Sequence, residues 1–308
     1  MIKKTKRDFI AITDFSESEI RETIKLAMEL KAKHGQKLDV LAGKTVGCIF
    51  HKPSLRTRIS FEVGIYELGG YSLYITEKEI ELGKRESIYD AARVLSRYLA
   101  MIEIRTFAQS DVEELARHAA IPVINGLTDL LHPCQIMSDM LTIAEHKEKI
   151  DNMKIAYLGD GNNVANSWLK AATRLPLDLR IGTSKETPPD AGILAEANKA
   201  GKSKITVTDD PVQAVANADV VYTDVWASMG QKHLQAEREK LLQAFQINNE
   251  LLKHAHPEAI VMHCLPAIRG QEITDEIMDG PQSVVFDQAE NRLHMQKAIM
   301  IKLARESF

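Results

Sequence analysis

The chain has 308 residues, more than one hydrophobic core usually organises, so two domains of about 150 residues each are expected. Its 44% hydrophobic and 27% charged residues are those of an ordinary globular protein, and a net charge of −4 argues against nucleic acid or an anionic membrane surface as the main partner. Three scattered cysteines, Cys48, Cys134 and Cys264, exclude a disulfide framework and fit a reducing, cytoplasmic setting; no run of about 18 apolar residues offers a membrane span.

The basic start, residues 1–7, is soon followed by Asp8 and Asp14 and reads as a solvated tail rather than a secretory leader. The first clear helix begins at Ser16, where Glu19 completes a capping box; Ile20, Ile24, Ala27 and Met28 share one face, and Gly35 follows the end. Strands and helices then alternate. Residues 45–50, 71–75, 101–104 and 121–125 read as strands, with helices over 54–68, 87–99 and 111–119, and a long helix over 134–146 that leaves this unit. The pattern restarts with a strand at 154–158 and a helix at 163–174. Further strands follow at 177–181, 205–208, 220–223 and 260–263, and a closing helix runs over 288–305. This alternation predicts an α/β protein with two doubly wound domains, each built on a mainly parallel sheet and joined by interdomain helices. The expected domains are 1–146 and 147–287, with the closing helix, 288–308, packing back onto the first. In such sheets ligands sit at the carboxyl ends of the strands, which directs attention to the loops after Phe50, Ile104, Asn125, Leu158, Thr223 and His263.

Those loops carry the residues with chemistry. After Phe50 comes His51-Lys52-Pro53-Ser54-Leu55-Arg56-Thr57-Arg58, where a helix N-terminus, two hydroxyls and the Arg56 fork suit a phosphate. A capped helix with surface arginines is the plainer alternative. Arg105 follows a strand and, taken alone, reads as a structural ion-pair partner rather than a ligand contact. His132-Pro133-Cys134-Gln135 opens a helix with an imidazole suited to a carbonyl oxygen and an amide suited to an NH₂, or is simply a proline-marked helix start. The loop Gly159-Asp160-Gly161-Asn162-Asn163-Val164 suggests a dinucleotide fingerprint. However, Val164 replaces the third glycine and no acid follows Ile181 for a ribose. Asp224, ending a strand, can pair with an ammonium group or cap the next helix, and Ser228 and Met229 extend its loop. His263-Cys264-Leu265-Pro266 offers a nucleophile, a metal ligand or a polarisable contact. Zinc is disfavoured because adjacent strand residues point to opposite faces.

Taken in order, these segments resemble the transcarbamoylase family, and its ornithine branch in particular. The similarity rests on Ser54-Leu55-Arg56-Thr57-Arg58, His132-Pro133-Cys134-Gln135, Asp224 to Gly230, His263-Cys264-Leu265-Pro266 and Phe286-Asp287-Gln288-Ala289-Glu290-Asn291-Arg292, and runs from about Asp8 to the closing helix. The resemblance implies transfer of a carbamoyl group from carbamoyl phosphate to the side-chain amine of L-ornithine, with no cofactor, no metal and no covalent enzyme intermediate. It implies that Ser54, Arg56, Thr57 and the Leu55 backbone hold the phosphate. Arg105, His132 and Arg292 would polarise the carbonyl, while Gln135 and the Leu265 backbone would take its NH₂. Asn163, Asp224, Ser228 and Met229 would bind ornithine, with Cys264 near the attacking amine.

Three positions depart from the family pattern. Leu55 stands where Thr is commoner, and Ile268 where a His is commonly found. Glu81 stands where a Gln commonly contacts carbamoyl phosphate, and a carboxylate there repels a dianion unless Lys84 or Arg85 neutralises it. Residues 78–86 are similar to a loop that reaches a neighbouring active site in the family, which implies a trimer or a multiple of one. Rival expectations are a transferase for N-acylated ornithine, a non-catalytic metabolite-binding protein with the same fold, and a zinc protein.

Overall fold

A computed structural model describes residues 6–227 and 235–307. The chain forms two compact units, residues 1–141 with 290–308, and residues 142–289. The divisions fall inside the helices Pro133–Lys147 and Val285–Ser307. The first division lies in an apolar stretch of its helix, with Leu141 and Ile143 both fully buried.

The first unit is built on four strands: β1 (Thr45–Phe50), β2 (Tyr71–Thr76), β3 (Met101–Arg105) and β4 (Val123–Leu127). They lie in the order β2-β1-β3-β4, all parallel. β1 is buried from Val46 to Phe50, as a strand covered on both faces requires. Ile102 and Ile104 pack with Ile88, Ala92, Val112 and Leu115 from the helices Ile88–Tyr98 and Gln109–His118. Alternation turns Met101, Glu103 and Arg105 to the other face. β4 begins two residues later than expected, because Pro122 has no N–H for the ladder and serves it through its carbonyl, which accepts from the Ile102 N–H at 2.9 Å. The β3–β4 register shifts between Ile104 and Arg105, so Asn125 pairs with Ile104 and Leu127 with Arg105. Gly126 is the extra residue of this bulge. A Cβ there would fall 1.9 Å from Glu103 Oε1, so the buried Glu103 carboxyl occupies the space that the glycine leaves.

The second unit has five parallel strands: β5 (Lys154–Leu158), β6 (Asp178–Gly182), β7 (Lys204–Thr208), β8 (Val220–Thr223) and β9 (Ile260–His263). Their order is β7-β6-β5-β8-β9. Leu158, Val221 and Val261 pack with Leu242, Phe245, Ile247, Ile273 and Ile277 in one apolar cluster. In each unit the chain runs outward on one side of its first strand and then returns to the other side. The reversal lies between β1 and β3 in the first unit and between β5 and β8 in the second. The loops leaving those strand pairs diverge, opening a space for ligands at each carboxyl edge.

Candidate active site

In the first unit the candidate residues lie at the β1–β3 reversal. Ser54 caps the helix Leu55–Glu67, its hydroxyl accepting from the Thr57 N–H at 3.2 Å. Leu55 is the first helical residue and its side chain is exposed. Its value here is therefore its backbone, one of the N–H groups that a helix start leaves without an intrahelical acceptor. Arg58 turns to the surface, where it pairs with Glu62 at 2.9 Å and lies 3.8 Å from the Tyr74 ring centroid.

Thr57 is the hub. Its buried hydroxyl oxygen accepts from Arg105 Nη1 at 3.3 Å and from Arg292 Nη2 at 3.1 Å. Arg105 reaches it from the end of β3 and Arg292 from the long closing helix, so residues 235 positions apart in sequence meet at one oxygen. Arg292 Nη1 also donates to Gln135 Oε1 at 2.6 Å. Gln135 is on the helix Pro133–Lys147, which opens directly after His132. The His132 ring is buried, and its pKa is held well below the ordinary histidine range by burial first and then by Arg292, Arg105 and Arg56. It is therefore a neutral donor amid three guanidinium groups, which is how an imidazole serves a carbonyl oxygen without titrating. Cys134 is no nucleophile: burial pushes its thiol up to about 12, and the thiol donates to the Asn125 carbonyl at 3.4 Å.

Glu81 stands apart from this cluster. It is exposed at the end of the short helix Glu77–Ile80, with left-handed backbone (φ 41°). Lys84 pairs with Glu77 at 3.0 Å.

In the second unit the candidate residues lie at the β5–β8 reversal. Asp224 follows β8 and is buried. Its Oδ2 accepts from Asn162 Nδ2 at 2.9 Å, and its Oδ1 accepts from the Cys264 thiol at 3.0 Å. Asn162 caps the helix Asn163–Ala172, its Oδ1 accepting from the Val164 N–H at 2.9 Å. That bond commits the amide oxygen, so its NH₂ must face the carboxylate. Asn163 is buried in the first turn of the same helix. Ser228 and Met229 lie outside the described residues. Nearby, burial pushes Asp160 up to about 6, against Arg238 at 3.4 Å.

The loop after β9 is held from beneath. His263 Nδ1 accepts from the Leu265 N–H at 2.8 Å, which fixes the ring proton on Nε2, 3.0 Å from Glu272 Oε1. The same Glu272 oxygen accepts from the Ile268 N–H at 2.6 Å, and Leu265 takes a left-handed φ of 56°. One buried carboxylate thus sets the course of residues 264–268, including Ile268, whose own side chain is exposed.

Ligand atoms of Asp224, His263 and Cys264 all lie within 4.8 Å of one another, closer than strand alternation predicts. The reason is that β9 ends at His263, so Cys264 is not bound by the pleat. These residues could be considered for a metal, but both His263 nitrogens and the Cys264 thiol already serve other groups. A metal would have to break those bonds.

Sequence reasoning missed Asn162, Glu272 and Asp139, which bonds Gln135. The first was readable as a helix cap next to Asn163. Asp139 stands four residues after Gln135 on one helix, a spacing that signals contact. Nothing local marks Glu272.

The geometry agrees with comparisons to known proteins. Residues 7–145 match the family model "Aspartate/ornithine carbamoyltransferase, carbamoyl-P binding domain", and residues 151–303 match "Aspartate/ornithine carbamoyltransferase, Asp/Orn binding domain". The ornithine carbamoyltransferase of Syntrophus aciditrophicus is 53% identical over 297 residues, covering 96% of this chain and 98% of the relative. That of Thermococcus kodakarensis is 52% identical over 299 residues, covering 96% and 95%. The solved structure of ornithine carbamoyltransferase from Pyrococcus furiosus superposes with a TM-score of 0.91 at 46% identity, covering 97% of each chain. With both halves matched and these relatives aligned over nearly its whole length, the chain belongs to the aspartate/ornithine carbamoyltransferase family.

Proposed function

We propose that the chain transfers the carbamoyl group of carbamoyl phosphate to the side-chain amine of L-ornithine, giving L-citrulline and phosphate. The observation that carries this reading is the Thr57 hydroxyl clasped by Arg105 and Arg292 beside a neutral His132, in the half that matches the family's carbamoyl-P model. A cluster of donors without a nearby nucleophile suits a small dianion whose carbonyl is to be attacked by something else.

Ser54, Arg56 and Thr57, with the Leu55 backbone, hold the phosphate. Arg105, His132 and Arg292 stabilise the oxygen charge that develops when the carbonyl carbon becomes tetrahedral. Gln135 and the Leu265 carbonyl accept from the carbamoyl NH₂. In the other half, Asp224 seats the ornithine amine with Asn163, Ser228 and Met229, and Cys264 lies against the Asp224 carboxylate. A free alkyl ammonium, with a pKa near ~10.4, is no nucleophile. The amine must shed its proton before attack, which a dry, cation-lined setting favours. Its lone pair then forms the C–N bond, and collapse of the tetrahedral intermediate breaks the C–O bond to phosphate, which leaves with the proton that the attacking nitrogen gives up. Positioning and charge stabilisation account for the step.

The chain further acts in the cytoplasm and self-associates as a trimer or a multiple of one, with Glu81 on a loop offered to a neighbouring copy. The support is an exposed apolar stripe on the helix Leu55–Glu67, formed by Leu55, Ile59, Val63 and Tyr66 and continued by Tyr71 and Leu73 on β2. Among the described residues no helix is long and apolar enough to cross a membrane. The test is a substrate panel of L-ornithine, N-acetylornithine, N-succinylornithine and L-aspartate with carbamoyl phosphate. Turnover of L-ornithine alone is expected; turnover restricted to an acylated compound would refute the reading.

A further inference from the structure

We propose that Asp139 is a positioning residue that locks the Gln135 amide with its oxygen toward the carbamoyl group, and so selects a carbamoyl over other acyl phosphates. The inference rests on the proposed function and deepens it.

Gln135 and Asp139 are four residues apart on the helix Pro133–Lys147 and share a face. Both are buried, with exposures of 1% and 0%. A glutamine amide has one accepting end and one donating end, and turning it by half a revolution exchanges them. Here the two ends meet unlike neighbours. A guanidinium can only donate, so the end 2.6 Å from Arg292 Nη1 must be the oxygen. The other end, Nε2, donates to Asp139 Oδ1 at 2.8 Å. The flipped amide would set NH₂ against the guanidinium and C=O against the acid, so each neighbour rejects it.

Orientation matters because of what distinguishes the substrate. Carbamoyl phosphate and acetyl phosphate share a carbonyl and a phosphate and differ in NH₂ against CH₃. An amide oxygen aimed at that group accepts from NH₂ and gains nothing from CH₃. An amide NH₂ aimed there would oppose the carbamoyl NH₂, donor to donor. Arg292 alone cannot keep the oxygen in place once ligand oxygens compete for its donors, whereas Asp139 lies on Gln135's own helix and its hold does not depend on the ligand.

The test compares wild type with Asp139→Leu, which keeps the site filled, and Asp139→Asn, which can turn its own oxygen toward Gln135. KM is measured for carbamoyl phosphate, and inhibition constants for acetyl phosphate and inorganic phosphate. In Asp139→Leu the preference for carbamoyl over acetyl phosphate should fall by about tenfold, the worth of one buried hydrogen bond. The two inhibitors should hold within about twofold, and Asp139→Asn should restore most of the preference. A parallel loss for all three ligands, or no change, overturns the lock. Wild type that fails to prefer carbamoyl phosphate would instead refute the proposed function. Should Asp139→Leu not fold, wild type suffices: the Gln135 side-chain amide protons, assigned by their absence in Gln135→Glu, should exchange slowly with solvent, and rapid exchange overturns the lock.

Discussion

Replacing His132 with Gln should change how stability depends on pH, by an amount that follows from the burial of the ring. The folded-state pKa of His132 lies well below that of an exposed histidine, because burial and the guanidinium groups of Arg292, Arg105 and Arg56 all oppose a charged imidazole. Below the ordinary histidine range the unfolded chain binds a proton at this position and the folded chain does not. Stability therefore falls as pH falls, by about 1.4 kcal/mol per unit from this residue alone. Between pH 8 and pH 5, for an unfolded pKa near ~6.5, the loss is up to about 2 kcal/mol. His132→Gln keeps a donor but cannot titrate, so it lacks this component. Urea denaturation of both proteins across the range isolates it as a difference that grows toward low pH. Parallel curves would refute the reasoning, as would a ¹³C-labelled His132 ring that titrates near pH 6.5. The consequence for catalysis is that the imidazole meets the carbonyl oxygen as a neutral donor and the arginines supply the charge.

Glu103 should behave with the opposite sign. Among the described residues neither of its buried carboxyl oxygens has a hydrogen-bond partner, and burial holds its pKa well above the usual carboxylate range. Its neutral form is kept in the fold while the unfolded chain ionises, so stability is present below the ordinary carboxylate pKa and lost as pH rises toward the folded value. Glu103→Gln should remove this loss, gaining up to about 3 kcal/mol at pH 7.5 relative to pH 5 in urea denaturation. Cys264→Ala removes the thiol that donates to Asp224; kcat/KM for ornithine should fall by roughly tenfold, and Cys264→Ser should recover most of it. Gly161→Ala places a Cβ 2.3 Å from the Pro188 carbonyl carbon and the Pro189 nitrogen, neither of which is a flexible side-chain end. Thermal unfolding should show a loss of about 1–3 kcal/mol, with residues 160–163 displaced and ornithine affinity reduced.

Much of the fold was legible because parallel strands buried on both faces are short apolar runs, and β1, β5 and β8 read as such. Where polar residues enter a strand the signal weakens. The expected strand stops at Asn125, yet β4 runs on to Leu127, since Gly126 is a bulge residue that makes room for Glu103. Topology directed attention to the loops that hold Arg105 and Asp224, because parallel sheets expose chemistry at their carboxyl edges, but the roles expected of the two came from the family resemblance. The meeting of Arg292 with Thr57 was not a property of any local segment; it came from family resemblance, and here it depends on the closing helix returning to the first unit. Residues that act through another residue were the hardest to see. Glu272 reaches His263 across nine positions of irregular chain, and no periodicity announces such a bond. The closeness of Cys264 to His263 and Asp224 also went against the alternation rule, which holds only while the strand lasts.

The central claim is that this chain joins ornithine's side-chain nitrogen directly to the carbonyl carbon of carbamoyl phosphate, held by the Arg56 loop. It is tested most directly with ¹³C-carbamoyl phosphate and ornithine labelled with ¹⁵N at the side chain, followed by mass spectrometry of a single turnover. Doubly labelled citrulline is expected from wild type, at a rate at least about a hundredfold above Arg56→Ala, because a donor whose phosphate is no longer gripped is poorly placed for attack. Unlabelled or singly labelled product, or an Arg56→Ala protein as fast as wild type, would contradict the account.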